Sequence, residues 1–279
     1  MIVDSHTHVF PPAAIERRER LIQTDPTFAE LYSSPKAALA TAEELLASMD
    51  RARIDVSVML GFAWRDADVC YEHNDYMIEA VARSNGRLVA FCTLPLASGI
   101  EAIEAEMRRC VAAGARGFGE LRPENVGFEL GSDAGERLAE VARELNVPLL
   151  FHVSEPVGHS YAGKEGLSMR TFYDFACEHP ETTLIGAHWA GGLPFYALMP
   201  EVRALPNIVV DTAATSLLYT PSIYSSVASM VGPECILFGS DYPLLTQSRS
   251  RLRIEQARLD VRARELILGG NASALLGLA

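Results

Sequence analysis

The chain has 279 residues, 36 acidic against 24 basic side chains, a formal net charge of −12 and 49% hydrophobic residues. That balance excludes broad binding to nucleic-acid phosphates, which requires clustered cations, and no apolar run reaches the roughly 18 residues of a membrane-spanning helix. No nucleic-acid or membrane partner is therefore expected, whereas a small-molecule substrate is, with a homo-oligomer left open.

The first strand pattern, "MIVDSHTHVF", breaks directly into histidines at positions 6 and 8. Side chains alternate along an extended chain, so Asp4, His6 and His8 share one side. Two imidazoles side by side are half a metal site; alternatively one is a polar strand end and the other faces solvent. Polar ligand candidates start too early to leave room for a secretory signal, and Cys70, Cys92, Cys110, Cys177 and Cys235 are scattered without a C-x-x-C pair. A cytoplasmic, reducing location is the expectation.

Residues 11 to about 36, including "IERRERLIQTDP", form a longer connection than a strand-to-helix loop usually needs, and are expected to lie over the mouth of the fold. A helical pattern, "AALATAEELLASMDRA", leads to the strand "VSVMLGF", followed by Trp64 and Arg65. His73 then falls inside the helix "YEHNDYMIEAVARS" and is read as structural, as is His179 before Pro180. The strand "RLVAFCTL", the helix "IEAIEAEMRRCVAAG" and the strand "GARGFGEL" come next, the last ending on Glu120 with Arg122 just beyond. A helix with a Ser-Asp start and an Asn stop precedes "VPLLFHV", which carries His152. The loop "SEPVGHSYAGKEG" holds His159, Tyr161 and Lys164; the strands "TLIGAHW", "NIVVDTA" and "CILFGSD" follow, with His188 on the first and Asp241 on the last.

Eight near-continuous apolar strands alternating with helices imply parallel strands covered by helices in a single α/β domain over residues 1–279. The count favours a (β/α)₈ TIM barrel; an open doubly wound sheet has the same alternation. In a barrel, chemistry collects at the C-terminal rim of the strands. His6, His8, Glu120, His152, His188 and Asp241 all fall at strand ends, which unrelated polar termini have no reason to do. Imidazoles with carboxylates and no thiolate suit zinc best, with manganese, iron, nickel or cobalt as alternatives. Asp4 either orients a ligand imidazole or is a polar core partner. Trp64, Arg65, Arg122, His159, Tyr161 and Lys164 are candidates for substrate binding, the cations for an anionic group.

The "DSHTH" start, "FHV", "AHWAG", "FGSDYP" and the closing "LILGGNASALLGL" together resemble the amidohydrolase superfamily, in particular its amidohydrolase-related branch of hydrolases, lactonases, decarboxylases and hydratases. The resemblance spans the chain. It implies His6, His8, His152 and Asp241 as primary metal ligands, and His188 either as a ligand of a second ion or as the group that polarises a carbonyl. Glu120 sits where related binuclear enzymes, TatD-like nucleases among them, place a metal-binding glutamate, so one or two ions are expected. The leading expectation is a metal-dependent hydrolase of a small, carboxylated or cyclic ester or amide, using water activated by the ion and Asp241 as general base. The alternative is a non-oxidative decarboxylase of a small carboxylic acid; a TatD-like nuclease and a non-catalytic metal-binding protein rank below both.

Overall fold

The computed structural model describes residues 1–203 and 205–278. Each of the eight apolar runs contains a strand: β1 (Val3–His8), β2 (Val56–Leu60), β3 (Leu88–Cys92), β4 (Gly117–Leu121), β5 (Leu149–Phe151), β6 (Leu184–Gly186), β7 (Ile208–Asp211) and β8 (Ile236–Leu237). They pair in parallel in sequence order. The sheet curls until its two edges meet: Ser5 N donates to Phe238 O (2.7 Å), His8 N to Tyr242 O (2.6 Å) and Asp241 N to His6 O (2.9 Å). The expected (β/α)₈ barrel is thus what forms, and the open sheet is not. No helix among the described residues is long and apolar enough to cross a membrane.

The strands are apolar on both faces because each face has its own core. On β2 and β3, Val58, Leu60, Val89 and Phe91 belong to one buried cluster with Leu150 and Ile185, while the intervening Met59, Ala90 and Cys92 pack in the cluster that includes the helices. Phe91 needs its neighbour on β4 to be glycine: a Cβ on Gly117 would lie 2.6 Å from the ring. The helices start where side chains cap them. Thr41 and Glu44 form a reciprocal capping box at the helix Ala42–Ala52, and Ser132 accepts from Gly135 N at the start of Asp133–Glu144.

The segment expected over the mouth folds as three short helices, Pro12–Glu16, Arg18–Thr24 and Pro26–Tyr32. Phe10, Phe28, Phe62 and Trp64 form a buried aromatic cluster that fastens it to the barrel. Its end, Leu31, Tyr32, Ala37 and Ala38, reaches the wall of the central pocket. After β5 a two-stranded parallel ladder, Val153–Ser154 with Leu167–Ser168, closes the base of the loop that carries His159, Tyr161 and Lys164.

Candidate metal centre

All six rim residues converge. His6 Nε2 and His8 Nε2 lie 3.1 Å apart, and Asp241 Oδ1 stands 3.7 and 3.5 Å from them. Glu120 reaches both sides of the cluster: Oε2 is 3.5 Å from His8 Nε2, while Oε1 is 2.9 Å from His152 Nδ1 and 3.8 Å from His188 Nε2. Three donor sets have mutual separations within 4.8 Å: His6 with His188 and Asp241, His6 with His8 and Glu120, and Glu120 with His152 and His188.

Local structure explains how a tightly packed rim admits this many polar groups. Gly239 makes room for His6, since a Cβ there would fall 2.8 Å from His6 Cβ. The sequence pattern runs the sixth strand through His188, but β6 ends at Gly186. His188, Trp189 and Ala190 then turn through φ of 56°, 62° and 48°. Asp241 also has positive φ, 64°. Non-glycine residues rarely adopt this region; here buried hydrogen bonds hold them, from His188 N to Asp211 Oδ1 (2.9 Å) and from Asp241 N to His6 O.

The orienting carboxylate is Asp211, at the end of β7, which the sequence reading missed. Its Oδ2 lies 2.7 Å from His6 Nδ1, which keeps a proton on Nδ1 and directs Nε2 at the cluster, where it offers a lone pair once its own proton leaves. Asp4 is instead a polar core partner: it accepts from Ser240 N (2.9 Å) and Gln247 Nε2 (2.8 Å) and only distantly from His6 N. The signal for Asp211 was present, because it is another acid at the end of an apolar strand. His152 is oriented by Gly163 O, 2.8 Å from its Nε2, leaving Nδ1 toward Glu120.

The electrostatics are those of a negative hole lined by imidazoles. Burial works against the charge on His6, but Asp211, Glu120 and Asp241 override it and raise its pKa to about 10. Burial depresses His8, helped by the charge on His6, and depresses His152. His188 is raised despite burial, through Asp241 and Glu120. Burial opposes charge on both carboxylates, yet the surrounding imidazoles hold Glu120 well below its ordinary range and Asp241 below its own. Two buried anions without a single Lys or Arg among their closest partners form an environment that a divalent cation would complete. The donor set fits such an ion, with hard oxygens and borderline nitrogens at ligand spacing, and His8 Nδ1 remains buried without a partner.

The cluster forms the floor of a pocket of about 450 Å³ whose walls include Phe62, Leu31, Leu217, Leu218, Pro243 and Leu244. Arg122, His159 and Tyr161 also line it. Trp64 does not: it is 1% exposed in the aromatic cluster and donates to His73 Nδ1, while His73 Nε2 bonds Val9 O. Arg65 points outward to Asn125 O. Lys164 is spent on its own loop, donating to Val157 O and His159 O beside Glu155. Tyr32, on the mouth segment, is a lining residue the sequence reading did not single out; burial, Asp241 and Glu120 all push its phenol pKa up.

A family model described as amidohydrolase matches residues 3–278. Among solved structures, 5-carboxyvanillate decarboxylase from Novosphingobium aromaticivorans, complexed with manganese and a nitrobenzoic acid, superposes with a TM-score of 0.83 at 14% identity, covering 100% of this chain and 96% of that one. Dihydroxybenzoic acid decarboxylase from Polaromonas, with bound manganese and the inhibitor 2-nitroresorcinol, gives 0.79 at 18% identity, covering 99% and 97%. The 2,6-dihydroxybenzoate decarboxylase from Rhizobium gives 0.75 at 19% identity, covering 99% and 98%. At these identities the likeness is one of fold.

Proposed function

The chain belongs to the amidohydrolase family, and from that premise we propose that it is a metal-dependent decarboxylase of a small, carboxylated aromatic acid. The observation that carries this reading is the setting of the donor cluster: four imidazoles and two carboxylates at the floor of a pocket with largely apolar walls. Such a pocket accepts a flat ring and leaves the polar end of the ligand to the floor. The manganese-bound decarboxylases of the same fold support it, and a donor set that mixes imidazole nitrogens with carboxylate oxygens admits manganese as well as zinc.

In this reading His6, His8, His152, Glu120 and Asp241 hold the ion or ions. When bound, a divalent cation supplies Lewis acidity and a positive field for the electron pair left as the carbon–carbon bond breaks. Loss of carbon dioxide leaves a ring carbon that must receive a proton. His188 is placed to deliver it: its Nε2 lies 3.8 Å from Asp241 Oδ2, and the neighbouring carboxylates keep that imidazole protonated beyond its usual range. Solvent then returns a proton to His188, with Asp241 as the counter-charge. Residues of the mouth segment and of the loop after β5 line the site, narrowing the access of water to where carbanionic charge develops.

A second reading, hydrolysis of a small ester, lactone or amide, is favoured by one observation: Glu120 stands between two donor sets, enough for two ions and a water attacking under general-base help from Asp241. The two reactions differ in product. Metal-loaded protein incubated with hydroxybenzoates should release carbon dioxide into a sealed headspace. Absence of gas from every acid, together with incorporation of ¹⁸O from labelled water into lactone or ester products, would replace the decarboxylase by the hydrolase.

A further inference from the structure

Arg122 follows β4 two residues past Glu120 and lines the pocket, where among the described residues it is the only arginine or lysine in the lining. It is 2% exposed. Its Nη2 donates to Gly163 O (3.1 Å) and Glu165 O, which fixes the guanidinium plane against the loop after β5. Its Nε and Nη1 have no hydrogen-bond partner among the described residues. The nearest acid, Glu30, has Oε2 4.0 Å from Nη2, the nitrogen already engaged, and its Oε1 accepts from Gly163 N.

A guanidinium cannot shed its proton to escape burial. Buried donors without acceptors are costly and rare, and in a ligand pocket they mark where a ligand atom completes the set. The geometry points to Arg122 as the residue that receives an acidic oxygen of the substrate through Nε–H and Nη1–H, while another acidic group of the same molecule meets the floor. The inference rests on the pocket's being a site for small aromatic acids, and it specifies their charge pattern: two acidic or phenolic oxygens on opposite sides of an apolar ring. Lys164, tied to its own loop, takes no part, and neutral ring compounds are discriminated against.

The test is equilibrium binding, read without turnover. Titration calorimetry on metal-loaded protein compares benzene-1,4-dicarboxylate with its monoamide, which keeps one carboxylate for the floor and neutralises the group opposite. Arg122→Met should weaken the acid roughly 10–100-fold, leave the amide within about twofold, and leave metal content unchanged by elemental analysis. Arg122→Lys, which keeps the charge and the length needed for folding, should lose about 3–10-fold for the acid, since an ammonium cannot serve the two carbonyls and the ligand together. Parallel weakening of acid and amide would reduce Arg122 to a packing role, and an unchanged acid-to-amide ratio in the folded variants would overturn the assignment. Failure to release carbon dioxide would defeat the decarboxylase reading while leaving this result intact; normal gas release with an unchanged ratio would do the reverse.

Discussion

Asp211→Asn isolates one hydrogen in the centre. The two side chains have the same shape, and the Asn Oδ1 can keep the bonds from His188 N (2.9 Å) and Ala213 N (3.0 Å). What changes is the atom 2.7 Å from His6 Nδ1, which turns from an acceptor into a donor. His6 must then offer its Nδ1 lone pair to the amide and carry its proton on Nε2. That nitrogen sits 3.1 Å from His8 Nε2 and 3.7 Å from Asp241 Oδ1, where an ion needs a lone pair. Loss of such an orienting partner costs about 10–100-fold in metal affinity, or about 1.4–2.7 kcal/mol. Competition against a chromophoric chelator, with manganese and with zinc, measures it. The pH profile carries a second signature. In the metal-free protein His6 is protonated up to about pH 10, so uptake at neutral pH expels its proton and affinity climbs as pH rises toward that value. In Asp211→Asn the principal carboxylate partner is gone, and the climb should end at lower pH. A variant with wild-type affinity and the same pH slope would refute the reasoning.

Asp241→Asn should keep most of the bound metal, since four histidines and Glu120 remain, while turnover falls at least about 100-fold through loss of the carboxylate beside His188; elemental analysis alongside a rate assay checks both halves. Glu120→Gln should halve the metal count if two ions are bound and leave it near one if the centre is mononuclear, as counted by anomalous diffraction. His73 is a stability probe away from the chemistry: burial lowers its pKa from 6.5 to about 4. A depressed imidazole contributes stability that is present above pH 6.5 and lost as pH falls toward 4. The window amounts to roughly 3 kcal/mol, about 2 kcal/mol of it by pH 5. Urea melts of wild type and His73→Gln at pH 7 and pH 5 should show the larger drop in wild type, with equal drops counting against a neutral buried ring.

The sequence by itself determined eight parallel strands and six polar residues at their ends, because near-continuous apolar runs and polar strand ends follow from burial on two faces and a shared functional rim. It also marked residues 11 to about 36 as longer than a usual strand-to-helix connection, and the end of that segment lines the pocket. It did not determine which charged neighbour serves which role. Trp64, Arg65 and Lys164 looked like pocket residues by position, yet one is core, one faces outward and one staples its loop. Asp4 and Asp211 are indistinguishable as strand acids, but only Asp211 lies across the closed rim from His6. Those distinctions belong to the tertiary structure. Hydrogen bonds between residues as far apart as 6 and 211 depend on barrel closure and on backbone turns such as that at His188, and no local periodicity encodes a distance across the barrel.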